Sequence, residues 1–342
     1  MMSERRAAFD VGSGSTKLQC AVIDTATGKI IEKLYGVERP QAYGIALQQS
    51  RDGHLNEEIQ QLGVDLFLEL KQIAVEKYGC TRFAAVATEV FRRAKNGADV
   101  LDRLQTTTGL VITLVNQELE AELGFTSVVA ESKQDPDIAC VWDSGGASFQ
   151  ITSLLQSRNS TDHPMVLNRY LGAVGTSIAL VVLIATVKGC SMEAIGDVKA
   201  PGAINPIPRS TKEAMIQSMI DKLPQEDVPA WLYGRKLVTA ACGNNCLFQV
   251  CCDVLHISGA VGSPITEFNR AQAELALDTC LDCTDEALQQ YQAFQYAEGV
   301  HVLVCKLVLL VAVMRHCDIQ AINTVPCVGS CAGVLESNRF WI

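Results

Sequence analysis

The sequence lacks any run of lysine and arginine. Its 28 basic residues are outnumbered by 38 acidic ones, which gives a formal net charge of -10. Surfaces that wrap nucleic acid need an excess of basic side chains, so a nucleic-acid partner is not expected. A long polyanionic substrate would need a local basic channel, and no basic run in the sequence supplies one.

Long hydrophobic runs are also missing. Ala173 to Val187 is shorter than the roughly 20 apolar residues that a membrane helix needs, and Val300 to Met314 is interrupted by His301 and Lys306. Both segments are predicted to be buried core helices, and no membrane partner is expected. The charged segment Met1 to Ala8 leads directly into a strand, which argues against a secretory signal.

The fourteen cysteines do not form a metal-binding pattern. Cys280 and Cys283 make one CxxC pair, but a structural zinc site needs four ligands, commonly from two such pairs. The cluster from Cys242 to Cys252 lies in an apolar stretch, where free cysteine packs as a small hydrophobe. We therefore expect free thiols in a reducing, cytoplasmic environment.

The order of predicted elements indicates an α/β fold with an internal duplication. Three antiparallel strands are followed by helix, strand, helix, strand and helix, and a similar hairpin begins again at Ile138. One helix is expected from Asn56 to Gly79, with one apolar face formed by Ile59, Leu62, Leu66, Leu70 and Ile73. We predict two domains, residues 1–130 and 131–342.

Each predicted half carries an aspartate and a glycine-rich turn directly after a buried strand. The turns are Asp10-Val-Gly-Ser-Gly-Ser15 and Asp143-Ser-Gly-Gly-Ala-Ser148. Glycine and serine allow backbone N–H groups to approach a phosphate. An aspartate would repel a bare anion, so its presence favours a divalent cation between the two. Either turn alone is a common β-turn sequence; the pair is a stronger signal.

These motifs resemble the two phosphate motifs of the actin-like ATPase (ASKHA) superfamily, and within it the exopolyphosphatase / guanosine pentaphosphate phosphohydrolase (Ppx/GppA) family. Ala87-Thr88 through Asn96 resembles that family's Ala-Thr-x-x-x-Arg-x-Ala-x-Asn stretch. Thr108-Gly109-Leu110, Glu118 to Ala121 and Leu171 to Val174 follow at the family's usual spacing. The resemblance implies two ribonuclease H-like domains with an interdomain cleft, where the two turns face each other and share an anion.

The resemblance also implies roles for individual residues. Glu120 matches the general base that activates water, Arg92 matches a phosphate-binding arginine, and Mg2+ is the expected cofactor. The predicted catalytic residues are Glu120, Gln150 and Asp143, and the predicted metal ligands are Asp10, Asp143 and Glu120. The predicted phosphate-binding residues are Gly12, Ser13, Gly14, Ser15, Thr16, Lys17, Arg92, Gly145, Gly146, Ala147 and Ser148.

Several positions depart from the family pattern and leave the substrate open. Gln150 stands where exopolyphosphatases have Glu, which makes this turn similar to one of apyrases. Glu122 replaces an Arg, and the segment from Cys327 to Gly333 lacks the usual Arg. Polyphosphate or guanosine pentaphosphate is the expected substrate. An apyrase-like nucleoside triphosphatase and a non-catalytic nucleotide- or polyphosphate-binding protein are the alternatives. The oligomeric state is also open, with a homodimer as one option.

Overall fold

The chain folds into two compact units, each built on one β-sheet. The computed structural model describes residues 2–155, 166–190, 204–244, 246–291 and 299–341. The first unit comprises residues 1–138, 152–169 and 326–342, and the second comprises residues 139–151 and 170–325. The predicted α/β class is confirmed.

The first sheet has five strands in the order β3-β2-β1-β4-β5. Strand β1 pairs antiparallel with β2 and parallel with β4. Ala7, Ala8 and Phe9 of β1 are fully buried, as expected for a central strand that is covered on both faces. The strands are β1 Ser3–Val11, β2 Ser15–Asp24, β3 Ile30–Pro40, β4 Arg82–Ala87 and β5 Ile112–Leu114.

The helices of this unit pack beside the sheet and complete its core. They are α1 Tyr43–Gln49, α2 Glu57–Glu76, α3 Glu89–Arg93, α4 Gly97–Thr108 and α5 Gln117–Ser132. Helix α2 begins as predicted, because the Asn56 side chain accepts a hydrogen bond from Ile59 N at 3.0 Å.

The predicted apolar face of α2 is wrong at Leu62, which is 51% exposed. The buried stripe instead runs through Gly63 and Phe67. The helix is rotated because Tyr43 packs its hydroxyl against Gly63, at a position where no side chain could fit.

The second sheet has six strands in the order β10-β11-β9-β6-β7-β8. They are β6 Cys140–Ser144, β7 Phe149–Leu154, β8 Leu167–Gly172, β9 Val238–Cys242, β10 Glu267–Asn269 and β11 Ala321–Pro326. The order β8-β7-β6-β9-β11 repeats the order β3-β2-β1-β4-β5 of the first sheet. The duplication predicted from the two hairpins is therefore present in the topology.

The helices of the second unit form a large apolar core around α11. They are α6 Thr176–Lys188, α7 Lys212–Ile220, α8 Leu247–Ile257, α9 Arg270–Cys280, α10 Asp285–Leu288 and α11 Leu303–His316. Every residue from Leu303 to Met314 is buried, so the prediction of a core helix here is confirmed. Among the helices that the structure describes, none combines the length and apolarity needed to cross a bilayer.

The carboxy-terminal segment packs with the first unit, which differs from the predicted division into 1–130 and 131–342. Its helix α12, Cys331–Glu336, lies on α5 and β1. The Gly333 N–H donates to Ser127 Oγ at 2.7 Å. At Gly333 a Cβ atom would collide with the backbone of Leu123. This close approach joins α12 to α5, and the local sequence gives no sign of the partner.

We expect Gly333→Ala to destabilise the protein by about 1–3 kcal/mol, because the added methyl group must push two helix backbones apart. Chemical denaturation measures the free energy of unfolding. The control is Gly262→Ala, where the added carbon meets no atom within 4 Å. Equal stability of the two variants would contradict the close contact between α12 and α5.

Candidate functional site

The first glycine-rich turn joins β1 to β2 and has a defined hydrogen-bond pattern. Gly12 N–H donates to Ser15 O at 2.9 Å. The Ser13 carbonyl accepts from Gly44 N at 2.7 Å, and the Gly14 carbonyl accepts from Gln41 N at 2.9 Å. In a trans peptide the C=O and the next N–H point in opposite directions. The N–H groups of Gly14 and Ser15 therefore point away from the start of α1.

The second turn joins β6 to β7 and repeats this pattern. Gly145 N–H donates to Ser148 O at 2.9 Å, and the Gly146 carbonyl accepts from Ser177 N at 2.7 Å. The N–H of Ala147 consequently points away from α6. The turn approaches α6 so closely that a Cβ atom at Gly175 would collide with the backbone of Gly146 and Ala147.

The two turns are thus equivalent in structure although their sequences differ. In each, the glycine two residues after the aspartate bonds to the serine three residues further on. In each, a carbonyl of the turn is held by N–H groups at the start of the helix that follows the third strand. Inward carbonyls leave outward N–H groups, which is the arrangement that binds anions.

Asp10 lies buried at the end of β1 and has two different carboxylate oxygens. Its Oδ2 accepts a hydrogen bond from Ser330 N at 2.8 Å and lies 3.8 Å from Lys17 Nζ. Its Oδ1 is buried and has no hydrogen-bond partner in the described parts of the chain. A buried oxygen without a donor is costly, so this oxygen is suited to a cation or to a water bound to one.

The hydroxyls of Ser15 and Thr16, which were predicted to bind phosphate, have surroundings that the sequence did not predict. Ser15 Oγ donates to Glu38 Oε1 at 2.6 Å. Thr16 is fully buried, and its Oγ1 has no partner within the described residues. Sequence reasoning missed Glu38 because its position depends on the pairing of β2 with β3, which places it opposite Lys17.

Arg92 and Glu120 form an ion pair, although they were predicted to have separate roles. Both terminal nitrogens of Arg92 donate to Glu120 Oε2 at 3.2 Å, and Arg92 also donates to the Val115 carbonyl. Glu120 lies in the first turn of α5, whose N-cap is Asn116. The arginine therefore fixes the direction of the Glu120 carboxylate.

Glu89 is a further carboxylate in this region that sequence reasoning did not select. It begins α3 directly after Thr88, whose N–H donates to the Val11 carbonyl beside the first turn at 3.2 Å. Burial raises the pKa of Glu89, and the nearby Arg93 and Arg92 only partly offset this effect. Two features mark Glu89 as a candidate site residue. Its pKa is raised, and its Oε2 is buried without a partner among the described residues.

In the second unit, the predicted catalytic residues flank the second turn. Asp143 lies near the end of β6, and Gln150 lies in β7. Gln150 is buried and donates from Nε2 to Ser148 Oγ at 3.1 Å. This bond orients the Ser148 hydroxyl, so Gln150 supports the turn from behind.

The structure therefore brings the predicted residues together in three groups. Asp10 joins Lys17, Arg92 joins Glu120, and Gln150 joins Ser148. The two turns lie in different units, and their sharing of one anion stays a prediction.

Residues 37–174 match the sequence model of the Ppx/GppA phosphatase family. This segment resembles the Ppx/GppA phosphatase family. It contains Arg92, Glu120 and the second turn and begins after the first turn. The recognition made from the sequence is confirmed, as is the enzyme class, a phosphoanhydride hydrolase, at the level of the family. No curated protein matches the chain by sequence.

Several solved structures of phosphate-releasing enzymes share the fold of almost the whole chain. The Aquifex aeolicus Ppx/GppA enzyme is 18% identical with a TM-score of 0.69, covering 98% of this chain and 100% of its own. An exopolyphosphatase from Cytophaga hutchinsonii is 14% identical with a TM-score of 0.72, covering 97% and 96%. Nucleoside triphosphate hydrolases from Neospora caninum are 10% identical with a TM-score of 0.58, covering 98% and 92%. The actin-like fold predicted from the sequence is confirmed.

We expect Glu89→Gln to gain stability relative to the native chain as the pH rises. A carboxyl whose folded pKa is raised stabilises the fold only while protonated, and that contribution is lost as the pH passes from the unfolded pKa, about 4.3, through the raised value. Glutamine has no charge to bury, so it avoids this loss.

Thermal unfolding of both proteins from acid to neutral pH measures the effect. The difference in melting temperature should grow in favour of Glu89→Gln over this range. Glu118→Gln, an exposed position on α5, serves as the control and should show no such trend. A difference independent of pH would contradict the raised pKa.

Proposed function

We propose that this chain is an exopolyphosphatase-type hydrolase that releases terminal phosphate from inorganic polyphosphate or guanosine pentaphosphate. The observation that carries the proposal is the repeated turn, with the same hydrogen bonds and outward N–H groups after the first strand of each sheet. Each turn supplies backbone donors for phosphate, so few basic side chains are needed, in keeping with the net charge of -10.

The turn amides bind and orient the phosphate, and they are held in place before the substrate arrives. Gly44 and Ser177 fix the two turns through their carbonyls, so little reorganisation is needed when charge develops on the transferred phosphoryl group. Lys17 and Arg92 add positive charge on the first unit. Gln150 supports the second turn through Ser148.

Glu120 acts as the general base in this proposal. It accepts the proton of the attacking water, and the fork of Arg92 holds its carboxylate in a fixed direction. A positioned base of this kind contributes about 10²–10⁴-fold to the rate. The family match includes both residues.

The residues at the turns fit a magnesium ion. Mg2+ is commonly bound by one or two carboxylates together with substrate phosphates, and Asp10 presents a buried oxygen that lacks a described donor. Asp10, Asp143 and Glu120 are the residues that would hold it. When bound, the ion neutralises charge on phosphate oxygens.

We expect Glu120→Gln to lower the rate of phosphate release by about 10²–10⁴-fold, because an amide cannot accept the proton. Ligand-induced thermal stabilisation should largely remain, since the turns and the carboxylates of Asp10 and Asp143 are unchanged. Initial rates with polyphosphate, together with melting curves with and without ligand, measure both effects.

Glu118→Gln is the matched control, because it makes the same change on the exposed side of the same helix turn. Its rate should equal that of the native chain. Turnover that survives in Glu120→Gln would remove Glu120 as the base and leave its pairing with Arg92 as a structural ion pair.

The presence of Gln150, where exopolyphosphatases have Glu, favours the second candidate, an apyrase-like nucleoside triphosphatase. An amide at this position orients water but takes no proton.

We expect phosphate release to be faster from polyphosphate or guanosine pentaphosphate than from ATP, and to require Mg2+. A panel of the three substrates with Mg2+ or with chelator measures this preference. Faster ATP hydrolysis would favour the triphosphatase, and tight binding without release would favour a binding protein.

A further inference from the structure

Two cysteines in the second unit form a close thiol pair. Cys242 ends β9 and Cys246 is the N-cap residue of α8, with three residues between them. Neither forms a disulfide, and their sulfur atoms lie 3.5 Å apart. A disulfide bond has an S–S length of about 2.05 Å, so a shift of roughly 1.5 Å would join them.

Cys246 is placed to react as a thiolate. Its Sγ accepts a hydrogen bond from the Gln249 N–H at 3.4 Å, at the start of an eleven-residue helix. Helix N-termini stabilise a thiolate. Burial raises the pKa of Cys246, but hydrogen bonds from Cys242 and from the N–H groups of Gln249 and Phe248 outweigh it, so the pKa lies below its ordinary value.

Cys242 lies beside a side-chain acceptor, the amide oxygen of Gln249. Its Sγ lies 3.5 Å from both Gln249 Oε1 and Cys246 Sγ, so its single S–H proton has two alternative acceptors. The Gln249 amide is in turn oriented by its Nε2, which donates to Asp253 Oδ1 at 2.7 Å. Gln249 thus donates from its backbone N–H to Cys246 Sγ, and its side-chain Oε1 lies within reach of the Cys242 thiol. The two cysteines therefore have different surroundings and different chemical roles.

Other cysteine contacts in the described residues lack this combination. Cys20 and Cys80 interact in the buried core of the first unit, where a soluble oxidant has no access. Cys251 and Cys252 are buried in α8, and burial raises the pKa of each. Cys246 differs because it is partly exposed and capped by N–H groups.

We propose that Cys242 and Cys246 are a redox-active dithiol that low-molecular-weight disulfides oxidise to an intramolecular disulfide. The Cys246 thiolate attacks one sulfur of the small disulfide, forms a mixed disulfide and releases one thiolate. Cys242, losing its proton to solvent, attacks the Cys246 sulfur and expels the second thiolate. Two protein thiols are oxidised and one small disulfide is reduced to two thiols.

The Cys242–Cys246 pair lies at the carboxyl ends of the parallel strands, the same end of the sheet as the second turn. Strands β6 and β9 are parallel, with Trp142 opposite Ala240, so their carboxyl ends meet at one edge. Phe248, two residues after Cys246, packs edge-on against Trp142 with ring centroids 5.0 Å apart. The new bond would therefore tie β9 to α8 beside Asp143. The proposal does not depend on the proposed function.

The test treats the reduced, full-length protein with oxidised glutathione and then blocks remaining thiols. Tryptic cleavage leaves Cys242, Cys246, Cys251 and Cys252 on one peptide, residues 237–270, so fragment spectra must locate the linkage. We expect a disulfide between Cys242 and Cys246. Linkage to Cys251 or Cys252 instead, or no disulfide, would overturn the proposal.

Single variants test the two roles. Cys242→Ser should accumulate glutathione on Cys246, because the resolving thiol is missing. In Cys246→Ser, glutathione should add to Cys242 at least roughly tenfold more slowly than it adds to Cys246 in Cys242→Ser. The reason is that the more ionised thiol has been removed. Cys252→Ala is the control and should form the disulfide at the native rate. Equal reactivity of Cys242→Ser and Cys246→Ser would overturn the assignment of Cys246 as the nucleophile.

Discussion

The structure depends on a short turn whose carbonyls are held by the start of a helix. Because each peptide is planar and trans, holding the carbonyls of the turn also fixes the direction of its N–H groups. The constraint appears twice, with Gly44 and Ser177 as the donors. Close packing makes it strict, because a side chain at Gly175 would enter the backbone of the second turn. The outward direction of the turn N–H groups is therefore a property of the backbone.

Two carboxylates of the first unit are each held by a positively charged side chain, which limits their freedom. Asp10 lies between Ser330 N–H and Lys17, and Glu120 lies against Arg92. The carboxy-terminal segment contributes to the first of these pairs, so the end of the chain helps to define a carboxylate near its beginning. Such pairing fixes the directions of the Asp10 and Glu120 carboxylates.

Most of the fold was predictable because its signals are local. Asn56 caps α2 through a bond three residues away, and the hairpins follow from alternation and glycine-rich turns. Leu62 was misplaced because the rotation of α2 is set by Tyr43, which lies on another element. The candidate residues were found by resemblance, whereas Glu38 and Glu89 were missed because their surroundings come from strand pairing and burial.

The sequence by itself determined the α/β class, the duplicated hairpins and the family, since turn chemistry, periodicity and motif spacing are written along the chain. The tertiary structure alone decided that α12 returns to the first unit, that Arg92 bonds to Glu120, and that Cys242 meets Cys246. These contacts depend on the directions of strands and helices in space. A linear pattern records which side chains are present, and packing decides which of them touch.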